Sequence, residues 1–206
     1  IIVDSIIVSM SERESITREP YVVDNNILNR FISQFRYTDT LDQSTSWGEI
    51  YNDLLLNRPM DRVVCGDVGF GKTELAERAA LVVSFSGKQV VVLAPTTILA
   101  LQLYNSFIYR FSGYPQKIAL LSRLQSSSEK NTVKEGICSG SLDIIIGTHV
   151  LLSKDISFKR IGLVIIDEEH RFGVKQTEVI KSFSKDVDVL SLSATPIPRT
   201  LQLTVS

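Results

Sequence analysis

Val63-Val64-Cys65-Gly66-Asp67-Val68-Gly69-Phe70-Gly71-Lys72-Thr73 is the stretch whose reading decides the fold. A short β-branched run ends in a glycine-rich turn of the pattern GxxxxGK[ST], and Leu75, Ala76, Ala79 and Ala80 then recur at helical spacing. Strand, loop and helix in that order are the context this motif requires. Glycine lacks a Cβ, so the backbone N–H groups of Gly66, Asp67, Val68, Gly69, Phe70 and Gly71 are free to turn inward around phosphate oxygens. The helix that follows points its partial positive end at the same anion. Lys72 is expected to reach the β- and γ-phosphates, and the Thr73 hydroxyl to ligate Mg²⁺. ATP and Mg²⁺ are therefore the expected cofactors.

Outward from this loop, short apolar runs alternate with helical stretches. Arg62–Cys65 is followed by Lys72–Phe85, Gln89–Leu93 by Thr97–Phe111, and Lys117–Leu121 by Glu129–Cys138. Asp143–Ile146, Gly162–Ile166 and Val187–Leu192 complete the series. Strands separated by helices predict βαβ units, hence an α/β domain with a mostly parallel sheet. Val90–Leu93 and Leu163–Ile166 are apolar at every position, as central parallel strands with helices on both faces require.

The ends of these runs carry the remaining chemistry. Ile165-Ile166-Asp167-Glu168-Glu169-His170 places acids where a buried strand stops, and ligands of open α/β sheets bind outside the carboxyl ends of strands. Asp167 is expected to hold Mg²⁺ through water and Glu168 to polarise the attacking water, while Glu169 and Arg171 read as solvated charges. Leu192-Ser193-Ala194-Thr195 ends another run. Its hydroxyls are expected to hydrogen-bond His170 across neighbouring strand ends and so to tie hydrolysis to movement. Thr96 and Thr97 follow Val90–Leu93 and open a helix, a seat suited to a nucleic-acid phosphate. Thr148 and His149 stand in the same position after Asp143–Ile146.

Lys+Arg is 22 and Asp+Glu 23, a net charge of −1, so any nucleic-acid contact must be local and not a basic field. The two cysteines lack metal-site spacing. No apolar run approaches the ~18 residues of a membrane span. Ile1–Met10 lacks a basic n-region and an initiator Met, so it is expected to be a fragment start, not a signal peptide. Ile2, Ile6, Ile7 and Met10 predict an amphipathic helix over residues 1–14, and Ile27, Leu28, Phe31, Ile32 and Phe35 a second.

Together these segments resemble the first RecA-like lobe of superfamily 2 helicases and translocases. Asp67–Thr73, Ile146–His149, Asp167–Val174 and Ala194–Thr200 are closer still to the bacterial transcription-repair coupling factor (Mfd) family. The RecG branch shares most of this wording but usually has Ser at the place of Phe70 and Gln at that of Glu169. The resemblance covers about residues 35–206, with residues 1–34 as a helical linker or N-terminal extension. It implies that Gln43 pairs with the adenine edge, with Phe35 or Tyr37 stacked on the base, and that Arg123 contacts a DNA phosphate. Leu41 stands where the family usually has Pro, which predicts a different local turn. Ala100-Leu101-Gln102-Leu103 replaces a more polar family segment, which predicts fewer DNA contacts there.

The resemblance further implies a cytoplasmic motor on double-stranded DNA, a second RecA-like lobe that completes the ATPase site, and RNA polymerase as a partner through modules outside this chain. The 206 residues are then expected to hold half an active site and to hydrolyse ATP at a negligible rate alone. The rival readings are a fork-remodelling helicase lobe of the RecG type and a non-motor nucleotide-binding module.

Overall fold

A computed structural model describes residues 16–67, 69–183 and 186–194. The expected helix at residues 1–14, Val68 of the glycine-rich loop and Thr195 lie outside the described residues. Strands β1 (Asp61–Cys65), β2 (Gln89–Leu93), β3 (Ile118–Leu121), β4 (Ile144–Gly147), β5 (Ile161–Asp167) and β6 (Asp188–Ser193) form one sheet. All pairings are parallel, and the order is β1-β6-β5-β2-β4-β3. The helices are α1 (Asn25–Ser33), α2 (Leu41–Leu55), α3 (Lys72–Phe85), α4 (Thr97–Arg110), α5 (Ser127–Ser139) and α6 (Val174–Phe183).

Alternation along the strands explains the two cores. Val90, Val92, Ile144, Ile146, Leu163 and Ile165 point to one face, where they pack with α1, α2, α3 and α4. Val91, Leu93, Ile145, Val164 and Ile166 point to the other, against Ile137 of α5 and Ile180 of α6. Successive side chains of a strand leave on opposite faces, so a run buried on both must be apolar throughout.

Helix α2 is an element the sequence analysis does not predict, because Phe35, Tyr37 and Gln43 are there assigned to the base. Its signals are present. Thr40 and Gln43 form a reciprocal capping box, and Trp47, Ile50, Tyr51 and Leu54 follow at helical spacing. Leu41 is the first helical residue, a position that Pro also occupies well, so its replacement of Pro leaves the turn regular.

Residues on both sides of 34/35, the boundary expected from the extent of the resemblance, pack into one core. Tyr21, Leu28 and Phe31 are buried in the same core as α3 and α4. Asp188, at the start of β6, is fully buried and accepts from Arg18 Nη2 at 2.9 Å, Tyr21 Oη at 2.8 Å and the Met60 N–H at 2.8 Å. Burial raises the Asp188 carboxyl, and the Arg18 hydrogen bond works against that rise.

Register places every strand-end motif on one rim. Cys65 is level with Ser193, Leu192 with Asp167, Ile166 with Leu93, and Leu93 with Gly147, which is level with Leu121. The glycine-rich loop, Ser193 and the acid pair thus occupy one half of the rim. Pro95–Thr97, Gly147–His149 and Ser122–Arg123 occupy the other.

Candidate nucleotide and nucleic-acid site

The glycine-rich loop wraps the N-terminus of α3. Gly69 and Gly71 have φ of +90° and +80°, the left-handed region open to glycine. At Gly71 a Cβ would also stand 2.5 Å from Gln43 Nε2, so a side chain there would displace the Gln43 amide as well as strain the backbone. The Lys72 ammonium donates to the carbonyls of Gly66 and Asp67, the latter at 3.0 Å. Thr73 is half-buried in the first turn of α3. The Phe70 ring folds back over Gly66, where a Cβ would meet it at 2.7 Å.

Gln43 reaches this loop from α2. Its Oε1 accepts from the Thr40 N–H at 2.8 Å, and its Nε2 donates to the Phe70 carbonyl. A primary amide has two donor hydrogens and two acceptor lone pairs, so one of each remains. The Phe35 ring meets Tyr37 edge-on at 5.6 Å.

The acid pair is held by backbone strain. Glu168 has φ 52° and ψ 53° and is the single non-glycine with positive φ among the described residues. Such a conformation costs on the order of 1–3 kcal/mol and persists where surrounding structure over-determines it. Here the Glu168 N–H donates to the Leu192 carbonyl of β6 at 2.9 Å, and its carbonyl accepts from the Arg171 N–H at 2.8 Å. Burial, then the neighbouring Glu168 charge, raise the Asp167 carboxyl above its ordinary range, while Lys72 acts against them. His170 Nε2 lies 3.3 Å from Glu168 Oε2. The histidine thus reaches the acid two residues before it; of its two expected hydroxyl partners, Thr195 lies outside the described residues. Ser193 itself is joined to the loop, since its carbonyl accepts from the Gly66 N–H at 3.1 Å.

These residues fit a magnesium-bound nucleotide. Two carboxylates converge on a partly buried rim, Lys72 has carbonyl partners that phosphate oxygens can replace, and a helix N-terminus faces the loop.

The other half of the rim is built differently. The Thr96 side chain caps α4 by accepting from the Leu99 N–H at 3.2 Å, and Thr97 is half-buried. Arg123 is exposed at the tip of a turn clasped by Ser122 and Gln125, next to Leu124. His149 is half-buried at the start of a short 3₁₀ turn. Thr148 is a correction to the sequence reading. It is 2% exposed and its hydroxyl is buried without a hydrogen-bond partner, so the expected side-chain contact with DNA is not presented at the surface. The physical reason is its place in the chain: it directly follows β4, which is buried at every position, and the backbone has not yet reached the surface there.

Sequence reasoning missed a buried ionic cluster behind the loop. Glu74 accepts from Arg110 Nε at 2.8 Å, Arg110 Nη2 at 2.7 Å and Arg78 Nε at 2.8 Å. Arg78 also forks onto both oxygens of Asp39, at 2.7 and 2.8 Å. Glu77 accepts from the Ser106 hydroxyl at 2.7 Å, and burial pushes its carboxyl up to about 8. The available signal was charge inside an apolar helix: α3 is buried from Glu74 to Ser84, so its Glu and Arg residues must pair.

With the fold and rim described, the relatives fall into place. The family profile of the DEAD/DEAH box helicases matches residues 40–204. The chain belongs to that family. Over 204 residues it is 50% identical to the transcription-repair-coupling factor of Bacillus subtilis and 48% identical to that of Borreliella burgdorferi, in each case over 99% of the chain. It spans 17–18% of the length of these relatives. A solved structure of RecG bound to a three-way DNA junction is 39% identical, with TM-score 0.80, over 94% of this chain and 26% of that one. Yeast Dbp5, solved with ADP and protein partners, shares the fold at 20% identity and TM-score 0.61, over 86% of this chain and 48% of Dbp5. Among the described residues no helix is long and apolar enough to cross a membrane.

Proposed function

We propose that this chain is the first, nucleotide-binding motor lobe of an ATP-dependent translocase on double-stranded DNA, one that displaces stalled RNA polymerase during transcription-coupled repair. The observation that carries the reading is the shared rim. β6 lies between the loop strand β1 and the acid strand β5, and hydrogen-bonds to the residues that follow both. A change at the phosphates is thereby shared between the loop and the acid pair. The 50% identity to a transcription-repair-coupling factor, against 39% to RecG, favours repair coupling over fork remodelling.

When bound, ATP supplies the phosphoryl group to be transferred and Mg²⁺ offsets charge on its oxygens. Loop amides and Lys72 bind the phosphates, and Thr73 and Asp167 hold the cation. Glu168 orients a water and takes its proton. The spare donor and acceptor of Gln43 match adenine N7 and N6, and Phe35 offers a stacking face. His170 steadies Glu168. Thr96, Thr97, Arg123 and His149 meet DNA phosphates. The second lobe, RNA polymerase contacts and a cytoplasmic location belong to the same reading, and the lobe alone turns over ATP at a negligible rate.

Calorimetry of Mg-nucleotide binding to the full-length protein tests the assignment. Lys72→Ala is expected to weaken binding by at least about tenfold, the value of one charge-assisted hydrogen bond. Equal affinity in both proteins would remove the phosphate-loop reading.

A further inference from the structure

Arg78 lies on the phosphate-loop helix α3, one turn beyond Glu74, and is 0% exposed. All three of its side-chain nitrogens are engaged. Nε donates to Glu74, while Nη1 and Nη2 donate to the two oxygens of Asp39. The guanidinium carbon stands 5.5 Å from the centroid of the Phe35 ring and 5.9 Å from that of Trp47. Asp39 immediately precedes Thr40, whose N–H donates to Gln43 Oε1. One side chain rooted in the phosphate-loop helix therefore touches both parts of the base-reading stretch: the ring of Phe35, and the segment that orients the Gln43 amide.

We propose that Arg78 is a positioning residue for base selectivity, holding Phe35 and the Asp39–Gln43 turn in register with the phosphate loop so that adenine nucleotides are preferred. The inference rests on the adenine reading above. A purely space-filling role does not account for the choice of residue, because buried ion pairs can often be replaced by apolar side chains without loss of stability. The planar fork adds direction. It fixes Asp39 in two dimensions, which an ammonium or a thioether does not. Its removal does not strand the other charges: Glu74 keeps Arg110, and the Asp39 side chain is 21% exposed and reaches water.

The test is competitive binding of ADP and GDP, with Mg²⁺, to the full-length protein, with melting temperatures measured alongside. Wild type is expected to prefer ADP by at least about tenfold, the value of one to two hydrogen bonds. Arg78→Met is expected to bring the two affinities within about threefold by weakening ADP and leaving GDP unchanged. Asp39→Asn, which keeps shape and removes one acceptor from the fork, is expected to fall between Arg78→Met and wild type, as is Arg78→Lys. A folded Arg78→Met protein with wild-type selectivity overturns the proposal, as does an equal loss of ADP and GDP affinity. Gln43→Ala separates the two levels. Lost selectivity there, with selectivity retained in the Arg78 and Asp39 variants, leaves the adenine reading standing and removes Arg78 from it. A wild type without preference overturns both.

Discussion

At β1 and β5 the chain leaves the sheet through backbone that ordinary residues avoid, whereas at β2, β4 and β3 it leaves through ordinary caps and turns. Gly69 and Gly71 take positive φ, and Glu168 is forced into it. Thr96 instead caps its helix in extended geometry, Ser122 and Gln125 clasp a short turn, and Ser126 and Glu129 form a regular capping box. In the proposed reading, the difference follows from what each half must recognise. Phosphoryl transfer depends on donors and a carboxylate placed to within fractions of an ångström, and strain is the cost of holding them there. On that same proposed reading, a motor that tracks any DNA sequence needs phosphate contacts that tolerate displacement, a role that suits regular caps with an exposed arginine.

The largest test of this contrast is Glu168→Gln in the full-length protein. Turnover is expected to fall by about 10²–10⁴, the usual share of a general base, while nucleotide binding persists. A parallel loss of binding would mean that Glu168 shapes the loop and not the chemistry.

Next comes Arg123→Ala. A salt titration of DNA affinity on two unrelated duplexes should show equal weakening on both and a log–log slope shallower by about one. An unchanged slope would make Arg123 a solvated charge.

Glu77 lies behind the rim, between α3 and α4. From its ordinary 4.5 to about 8, the folded state keeps a proton that the unfolded chain has released. Stability must therefore fall as pH rises through that window. Glu77→Gln is expected to melt higher than wild type at pH 8, by at least about 1 kcal/mol, with the gap closing toward pH 4.5. A gap independent of pH would show that Glu77 is ionised in the fold.

The smallest effect is expected at Thr148. Its buried hydroxyl lacks a partner, so Thr148→Val should leave DNA affinity unchanged and raise stability by up to about 1 kcal/mol in thermal melts. Loss of DNA affinity would restore the direct contact that its burial argues against.

The central strands β2, β4 and β5 were legible because a parallel strand buried on both faces is a short, nearly all apolar run. The partly exposed edge strands β1 and β3 and the more polar β6 followed from their place between helical repeats. The places of Lys72, Thr73, Asp167 and Glu168 on one rim of the sheet were legible because strand-end motifs have characteristic spacing. Helix α2 was obscured because Gln43, the N3 partner of its capping box, is also the residue that the resemblance assigns to the base, so one reading hid the other.

Local rules thus settled the elements and the identity of the rim residues: side-chain periodicity, glycine in loops and hydroxyls at caps act over a few positions. Only the tertiary structure decided that β6 separates β1 from β5, that Arg78 finds Asp39 and Arg110 finds Glu74, that Glu168 is strained and that Thr148 is buried. Those outcomes depend on partners some tens of residues or more away in sequence, or on how deeply the sheet buries a strand end. Burial selects such partners once the sheet has assembled, and spacing along the chain does not encode them.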